Sequence, residues 1–427
     1  MFVNHARLPV ISVFCSLNLR RHTPHKWIFR KYASRPIPPM DARLKPGDKV
    51  VMAMSGGVDS SVSLQLLSEQ DLSLSAVFMR NWSQESSDRL RGCEWEKDWE
   101  DVQRVCRHVG VSVRMVDLSK EYWTQVFEPA ISEWAGGLTP NPDISCNREI
   151  KFGALMSRAL VDPTAYLATG HYAQVDKTAD GRHRLLRSVD SNKDQTYFLS
   201  SLHEQQVARS IFPIGHLTKT KVKELARQFD LPTAGKKESM GICFVENHNQ
   251  NRNSFSQFLS EYIDPNPGPI LTESGVQVGT HPGLWRYSIG QRYRFEGCKQ
   301  DERWYVASKN VSDNSLRVVL GQEHPALMSN TFQTHRWSWI WQDHPPPSID
   351  SPEGLICQIK IRSSNRKSAF PASIRRSLND PGVCDVTFLN EHSDCLTPGQ
   401  VCVAWIDDWC LGGGIVLEKQ WEWNSTS

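Results

Sequence analysis

The stretch KVVMAMSGGVDSS, residues 49–61, carries the reading of the fold. Lys49 to Met54 has the apolar character of a buried parallel strand. It breaks at Ser55-Gly56-Gly57-Val58-Asp59-Ser60-Ser61 and resumes as a helix with Val62, Leu66 and Leu67 on one face. Paired glycines let the backbone turn tightly and bring N–H groups up to an anion with no Cβ in the way. Serine hydroxyls and the positive end of the helix add donors at the same point. Asp59, an acid beside a phosphate site, makes chemical sense as the holder of a divalent cation (Mg2+) or of its water. No lysine follows the glycines, which excludes the G-x-x-x-x-G-K-[ST] phosphate loop. A Gly-Gly turn that binds nothing is the plain alternative, and the full heptapeptide after a strand weighs against it.

Outward from this loop, residues 74–82 (LSAVFMRNW) read as a second strand and 111–118 (VSVRMVDL) as a third. Between them Trp95, Trp99, Val102, Cys106 and Val109 recur at helical spacing, a stripe that reads as packing. A further helix carries Tyr122, Val126, Phe127, Ile131 and Trp134 and ends at Gly136-Gly137. This alternation predicts a doubly wound parallel sheet, whose ligands sit beyond the carboxyl ends of the strands. Pro140 and Pro142 then make residues 139–146, TPNPDISC, a rigid extended loop, with a helix from about 147 to 160. A strand from Tyr166 leads into Gly170-His171. A hairpin follows at Asp180-Gly181, a helix start at Lys193-Asp194-Gln195-Thr196, and a helix near 218–229.

From about residue 247 Asn, Pro and Gly rise and short strands replace helical periodicity. The chain therefore divides into an α/β domain at 46–246, a small mostly-β domain at 247–325 and a C-terminal β-barrel at 326–420. Trp337, Trp339 and Trp341 alternate as on one face of a strand, where barrel packing is a better reading than base stacking.

With 427 residues the chain has room for such an arrangement. No apolar run is long enough to cross a bilayer, so no membrane partner is expected, and nothing points beyond a monomer. Eleven cysteines, an odd number without a repeating framework, fit a reducing compartment better than a disulfide-stapled fold. The formal charge of +2 hides an asymmetry: residues 1–40 hold seven Lys or Arg and no acid, leaving 42 basic against 47 acidic residues elsewhere. That N-terminal composition reads as a transit peptide directing the chain to the mitochondrial matrix, with a disordered basic tail as the alternative. Nucleic-acid binding by the remainder must come from local basic patches.

Two thiols stand apart by their settings. Cys146 closes the proline-stiffened segment behind Asn141 and Asp143. Cys243 lies in Ser239-Met240-Gly241-Ile242-Cys243, where Lys236 and Lys237 would favour a thiolate.

The opening loop resembles the SGGxDS loop of ATP pyrophosphatases, which split ATP between its α and β phosphates. The segments AMSGGVDSS, FMRNW, TPNPDISCNREIKFG, ATGHYA, KDQTYFL, GICF, YSIGQR, TPGQ and CLGGGI, in this order over residues 48–418, resemble the tRNA-specific 2-thiouridylases of bacteria and mitochondria. The resemblance implies that Ala53, Met54, Ser55, Gly56, Gly57, Val58, Asp59 and Ser60 hold ATP, with Met79 and Gly170 at its adenosine. It implies that Asn141, Pro142 and Asp143 contact the target uridine, that Cys146 is the nucleophile and that Cys243 carries a persulfide. The two cysteines would end the cycle as a Cys146–Cys243 disulfide. His171, Lys193, Asp194, Gln195, Arg362, Ser363 and Gln400 would contact tRNA. Ser363 stands where the family has an aromatic partner for the arginine, and Met240 replaces a small hydroxylic residue.

The implied substrate is the wobble uridine of the tRNAs for Lys, Glu and Gln, with a separate persulfide protein as sulfur donor. An alternative chemistry has Asp143, Cys146 and Cys243 ligating an iron–sulfur cluster with one open iron. Another ATP pyrophosphatase of tRNA modification is the nearest rival reading. A non-catalytic RNA-binding protein on an old nucleotide fold is the more distant one.

Overall fold

The computed structural model describes residues 41–82, 94–237, 253–363, 369–389 and 395–417. The expected transit segment, Met240 and Cys243 lie outside the described residues.

Five strands form the first sheet: β1 (Lys49–Met54), β2 (Ser73–Arg80), β3 (Val113–Asp117), β4 (Tyr166–Thr169) and β7 (Ser210–Ile211). Their order is β3-β2-β1-β4-β7 and every pairing is parallel. Val50, Met52, Val77 and Leu167 are fully buried, as strands covered on both faces require. The order reverses between β1 and β4, so the segments leaving these two strands diverge and open a crevice at their carboxyl ends. Helix α1 (Val58–Ser68) follows β1, and α2 (Glu94–Val109) follows β2. In α2 Val102, Val105 and Cys106 turn inward, much as their spacing predicts.

Two composite helices complete this layer. The helix over 119–135, α3, passes through a π-helical segment at Trp123–Phe127, and Tyr122, Phe127 and Trp134 anchor it in the core. The helix over 142–159, α4, opens with Pro142–Ser145 and continues through a ten-residue π segment, Cys146–Leu155. The extended loop expected at 139–146 is thus helical from Pro142 onward. A proline is tolerated at the first helical position, where its missing N–H has no partner to lose. Asn141 caps the turn by accepting the Asp143 N–H at 3.3 Å.

The middle β region has the sheet order β10-β11-β12-β8-β9, built from β8 (Gly268–Thr272), β9 (Gln277–His281), β10 (Arg292–Tyr293), β11 (Trp304–Asn310) and β12 (Ser315–Leu320). The C-terminal region contains β13 (Thr331–Trp339), β14 (Leu355–Lys360), β15 (Phe370–Arg376), β16 (Val383–Phe388), β17 (Val401–Ile406) and β18 (Trp409–Val416). Antiparallel pairing in the order β13-β16-β15-β14-β17-β18, with β18 returning to β13, closes these six into a barrel. Trp337 and Trp339 stack with ring centroids 4.7 Å apart, the packing role expected for them.

One connection was not legible in the sequence. The hairpin of β5 (Gln174–Lys177) and β6 (His183–Leu186) leaves the α/β layer and adds to the barrel sheet through Leu185 and Leu186 against Cys410 and Trp409 of β18. The segment before α4 is also clamped from two sides. The Lys309 ammonium donates to the Gly137 carbonyl at 2.9 Å. From the barrel, the Pro398 carbonyl accepts the Thr139 N–H at 2.9 Å and the Gln400 amide donates to the Thr139 carbonyl at 2.6 Å.

Candidate active site

The loop after β1 turns at Gly56, whose φ of +76° lies in the left-handed region that glycine adopts without strain. A Cβ there would stand 2.8 Å from the Asp98 carbonyl oxygen, so α2 packs directly on the loop backbone. Ser60 Oγ lies 3.2 Å from Ser55 Oγ, and the Ser60 and Ser61 hydroxyls both donate to the Gly57 carbonyl. Gly57 caps α1 with no side-chain acceptor on the first N–H groups of the helix. An uncapped helix start carries partial positive charge and suits a phosphate. Gly170, just beyond β4, comes so near that a Cβ on it would sit 2.8 Å from Ser60 N. Ala53 and Met54 end β1, Val58 begins α1, and Met79 is partly buried near the end of β2. These residues fit a nucleotide whose phosphates lie over the loop.

Asp59 is more engaged than expected. Lys219, first residue of a helix at Lys219–Gln228 (α5), places its ammonium 2.7 Å from both carboxylate oxygens. The Tyr172 hydroxyl donates to the same carboxylate at 2.9 Å. A divalent cation at Asp59 would compete with the Lys219 ammonium for the same carboxylate. The sequence reading missed this lysine, because nothing in its neighbourhood marks it as part of the loop 160 residues earlier.

On α4, Asn141, Pro142, Asp143 and Cys146 occupy the first turn and a half, with Cys146 only 3% exposed. Burial pushes the Asp143 carboxyl above its ordinary range, and the Lys151 ammonium partly offsets that rise. Burial, and then the same lysine, hold His171 well below the usual imidazole value, so the ring is neutral near pH 7. Its Nδ1 lies 2.8 Å from Thr169 Oγ1, and its ring is 5.8 Å from that of Phe152 on α4. Gly170 therefore touches the phosphate loop while its neighbour His171 touches the helix bearing Cys146.

The residues assigned to tRNA are largely occupied within the protein. Asp194 accepts hydrogen bonds from the Ser188 N–H at 3.1 Å and the Thr196 hydroxyl at 2.8 Å. Gln195 accepts the Tyr172 N–H at 2.9 Å and so holds the tyrosine that reaches Asp59. Lys193 sits beside them, its N–H on the Asp190 carbonyl. Arg362 donates to the Cys395 carbonyl, with Ser363 next to it, and Gln400 holds the segment before α4. Lys236, expected to favour a thiolate at Cys243, pairs with Asp98 at 2.7 Å and Asp101 at 2.6 Å, which neutralises its charge. Elsewhere burial pushes the thiols of Cys106 and Cys384 up to about 11 and that of Cys357 to about 12, as packed, unreactive groups require. Among the described residues no cluster of three or more His, Cys, Asp or Glu could hold a metal.

Three family profiles match in series: a tRNA methyl transferase HUP domain at 48–247, a tRNA methyl transferase PRC-barrel domain at 256–320 and an aminomethyltransferase beta-barrel domain at 329–416. The tRNA-specific 2-thiouridylase MnmA of Francisella tularensis subsp. holarctica is 39% identical over 373 residues, covering 86% of this chain and 99% of its own. The chain belongs to the tRNA-specific 2-thiouridylase family. Another family member, MnmA of Alkaliphilus oremlandii, is 40% identical over 370 residues, covering 86% of this chain and 96% of its own. A solved structure, the U34-tRNA thiolase NcsA from Methanococcus maripaludis with its 4Fe–4S cluster, is 18% identical with a TM-score of 0.27, covering 51% of this chain and 66% of its own.

Proposed function

We propose that this chain is an ATP-dependent sulfurtransferase that converts the wobble uridine of mitochondrial tRNAs for Lys, Glu and Gln to 2-thiouridine. The observation that carries the reading is the pair at the end of β4. Gly170 lies against the phosphate loop at Ser60, and His171 lies against Phe152, six residues beyond Cys146 on one helix. This adjacency supports a reading in which the nucleotide loop and the helix bearing Cys146 serve one reaction.

The uridine C2 oxygen is a poor leaving group. Its attack on the α-phosphorus of ATP expels pyrophosphate and leaves an adenylate that departs readily as AMP. The uncapped start of α1 takes the pyrophosphate charge. Asp59 is the residue that would hold Mg2+, in competition with Lys219, and the ion would supply further charge neutralisation to the phosphates. The terminal sulfur of a Cys243 persulfide then attacks C2. The Cys146 thiolate attacks the inner sulfur, breaking the persulfide S–S bond as AMP leaves, so sulfur stays on C2 and a Cys146–Cys243 disulfide forms. Two electrons from a thiol reductant and fresh sulfur from a persulfide protein reset the pair. Asp143 handles a proton or orients the ring at C2.

The test is tRNA thiolation by purified protein, read by nucleoside mass spectrometry, alongside ATP–pyrophosphate exchange. C146S and C243S are expected to abolish 2-thiouridine while ATP binding persists. Normal thiolation in either variant overturns the scheme. Iron content and visible absorption of anaerobically purified protein distinguish the persulfide route from a cluster held by Asp143, Cys146 and Cys243. N-terminal sequencing of the chain recovered from mitochondria tests import and locates the cleavage.

A further inference from the structure

The ion pair at the phosphate loop is a costly arrangement that packing does not explain. Lys219 follows its N-cap, Thr218, at the positive end of a ten-residue helix, where a cation is disfavoured by the dipole. Its side chain is only 11% exposed, so the ammonium gives up most of its hydration to reach an Asp59 carboxylate that is itself 32% exposed. Asp59, for its part, sets a negative charge in the first turn of α1, beside the place where phosphates would dock. Two charges are thus held near a polyanion site, each in the position that its own helix or its ligand favours least.

We propose that Lys219 is a phosphate-binding residue of this loop: it rests on Asp59 while the site is empty and transfers to the β- and γ-phosphate oxygens when ATP docks. The surroundings are built for such an exchange. The Tyr172 hydroxyl also donates to Asp59 Oδ1, so the carboxylate keeps a partner when the ammonium leaves. The lysine backbone stays fixed, since its N–H donates to Asp190 at 2.8 Å. The ammonium stands 5.8 Å from the centroid of the Tyr172 ring, a surface that tolerates a cation. The swing breaks no covalent bond and changes no protonation state. It removes a counter-charge from Asp59 at the moment a cation is needed on the phosphates.

The inference rests on ATP being the ligand of this loop, and calorimetric titration of the full chain with ATP and, separately, AMP tests the two statements apart. AMP lacks the β- and γ-phosphates. K219M is expected to weaken ATP at least tenfold and AMP less than twofold, with K219R recovering most of the ATP affinity. An unchanged ratio of ATP to AMP affinity in K219M, with the wild type binding ATP, overturns the role of Lys219 alone. A wild type that binds no ATP overturns the parent reading and this one with it. Should K219M fail to fold with Asp59 uncompensated, the neutral pair D59N/K219M gives the same ratio against D59N, and the same two outcomes apply.

Discussion

Gly170 shows how one missing Cβ shapes a site. The three atoms that an added methyl would meet first, at 2.8 to 3.1 Å, belong to the backbone of Asp59 and Ser60, where no side chain can move aside. G170A should cost about 1–3 kcal/mol of stability, the usual range for forced overpacking, and displace the start of α1. ATP affinity measured by titration should fall more than tenfold, and an unchanged affinity would mean that the crevice has room to spare at this point. Lys151 supports a second prediction at this scale. Its charge lowers an Asp143 carboxyl that burial raises, so K151M should send that group higher still. If ionised Asp143 is needed, thiolation declines as acidity titrates it. The acid limb of the pH–rate profile, already above the ordinary carboxylate value of about 3.9, then moves to higher pH in K151M. A limb that stays put assigns it to another group.

At the level of elements, periodicity was a good guide where side chains alone decide. Trp95, Trp99 and Cys106 marked α2, and the apolar run from Lys49 marked β1, because burial imposes its period directly on the sequence. It failed at Pro142. Two prolines in close succession look like a break, yet Pro142 begins a helix because Asn141 turns the chain into it. The π-helical run from Cys146 to Leu155 left no mark either, since a shift from i+4 to i+5 hydrogen bonding changes no residue type. Of the candidate site, the glycines, Asp143 and Cys146 were legible as local signatures. Lys219, Lys151 and the internal duties of Asp194 and Gln195 were not, because each depends on a partner outside its own stretch of sequence. The N-cap offers a direct check: N141A should lower stability by about 0.5–2 kcal/mol in urea titration. Thiolation should fall with it, whereas a loss of thiolation at unchanged stability would place Asn141 on the substrate instead.

Across the whole molecule, the segment from Gly137 to Pro140 is held by one residue of the middle region and by two of the barrel. Q400A removes the donor to Thr139 and Pro140 and should loosen the entry to α4. Amide exchange over 139–146 is expected to quicken in that variant with ATP affinity unchanged. Exchange rates equal to wild type would leave tRNA contact as the only role for Gln400. K309M strands the Gly137 carbonyl, a loss of about 1–3 kcal/mol, and should lower the melting temperature.

The β5–β6 hairpin, coded within the first half of the chain but seated against β18, makes the two halves poor candidates for separate life. Truncation after residue 325 would strip β6 of its β18 partner and leave the outer edge of the hairpin open to water. Such a fragment should stick to itself, and light scattering would record oligomers that dissolve when the missing C-terminal segment is supplied in trans. Evolution by shuffling this barrel onto other enzymes would carry the same handicap.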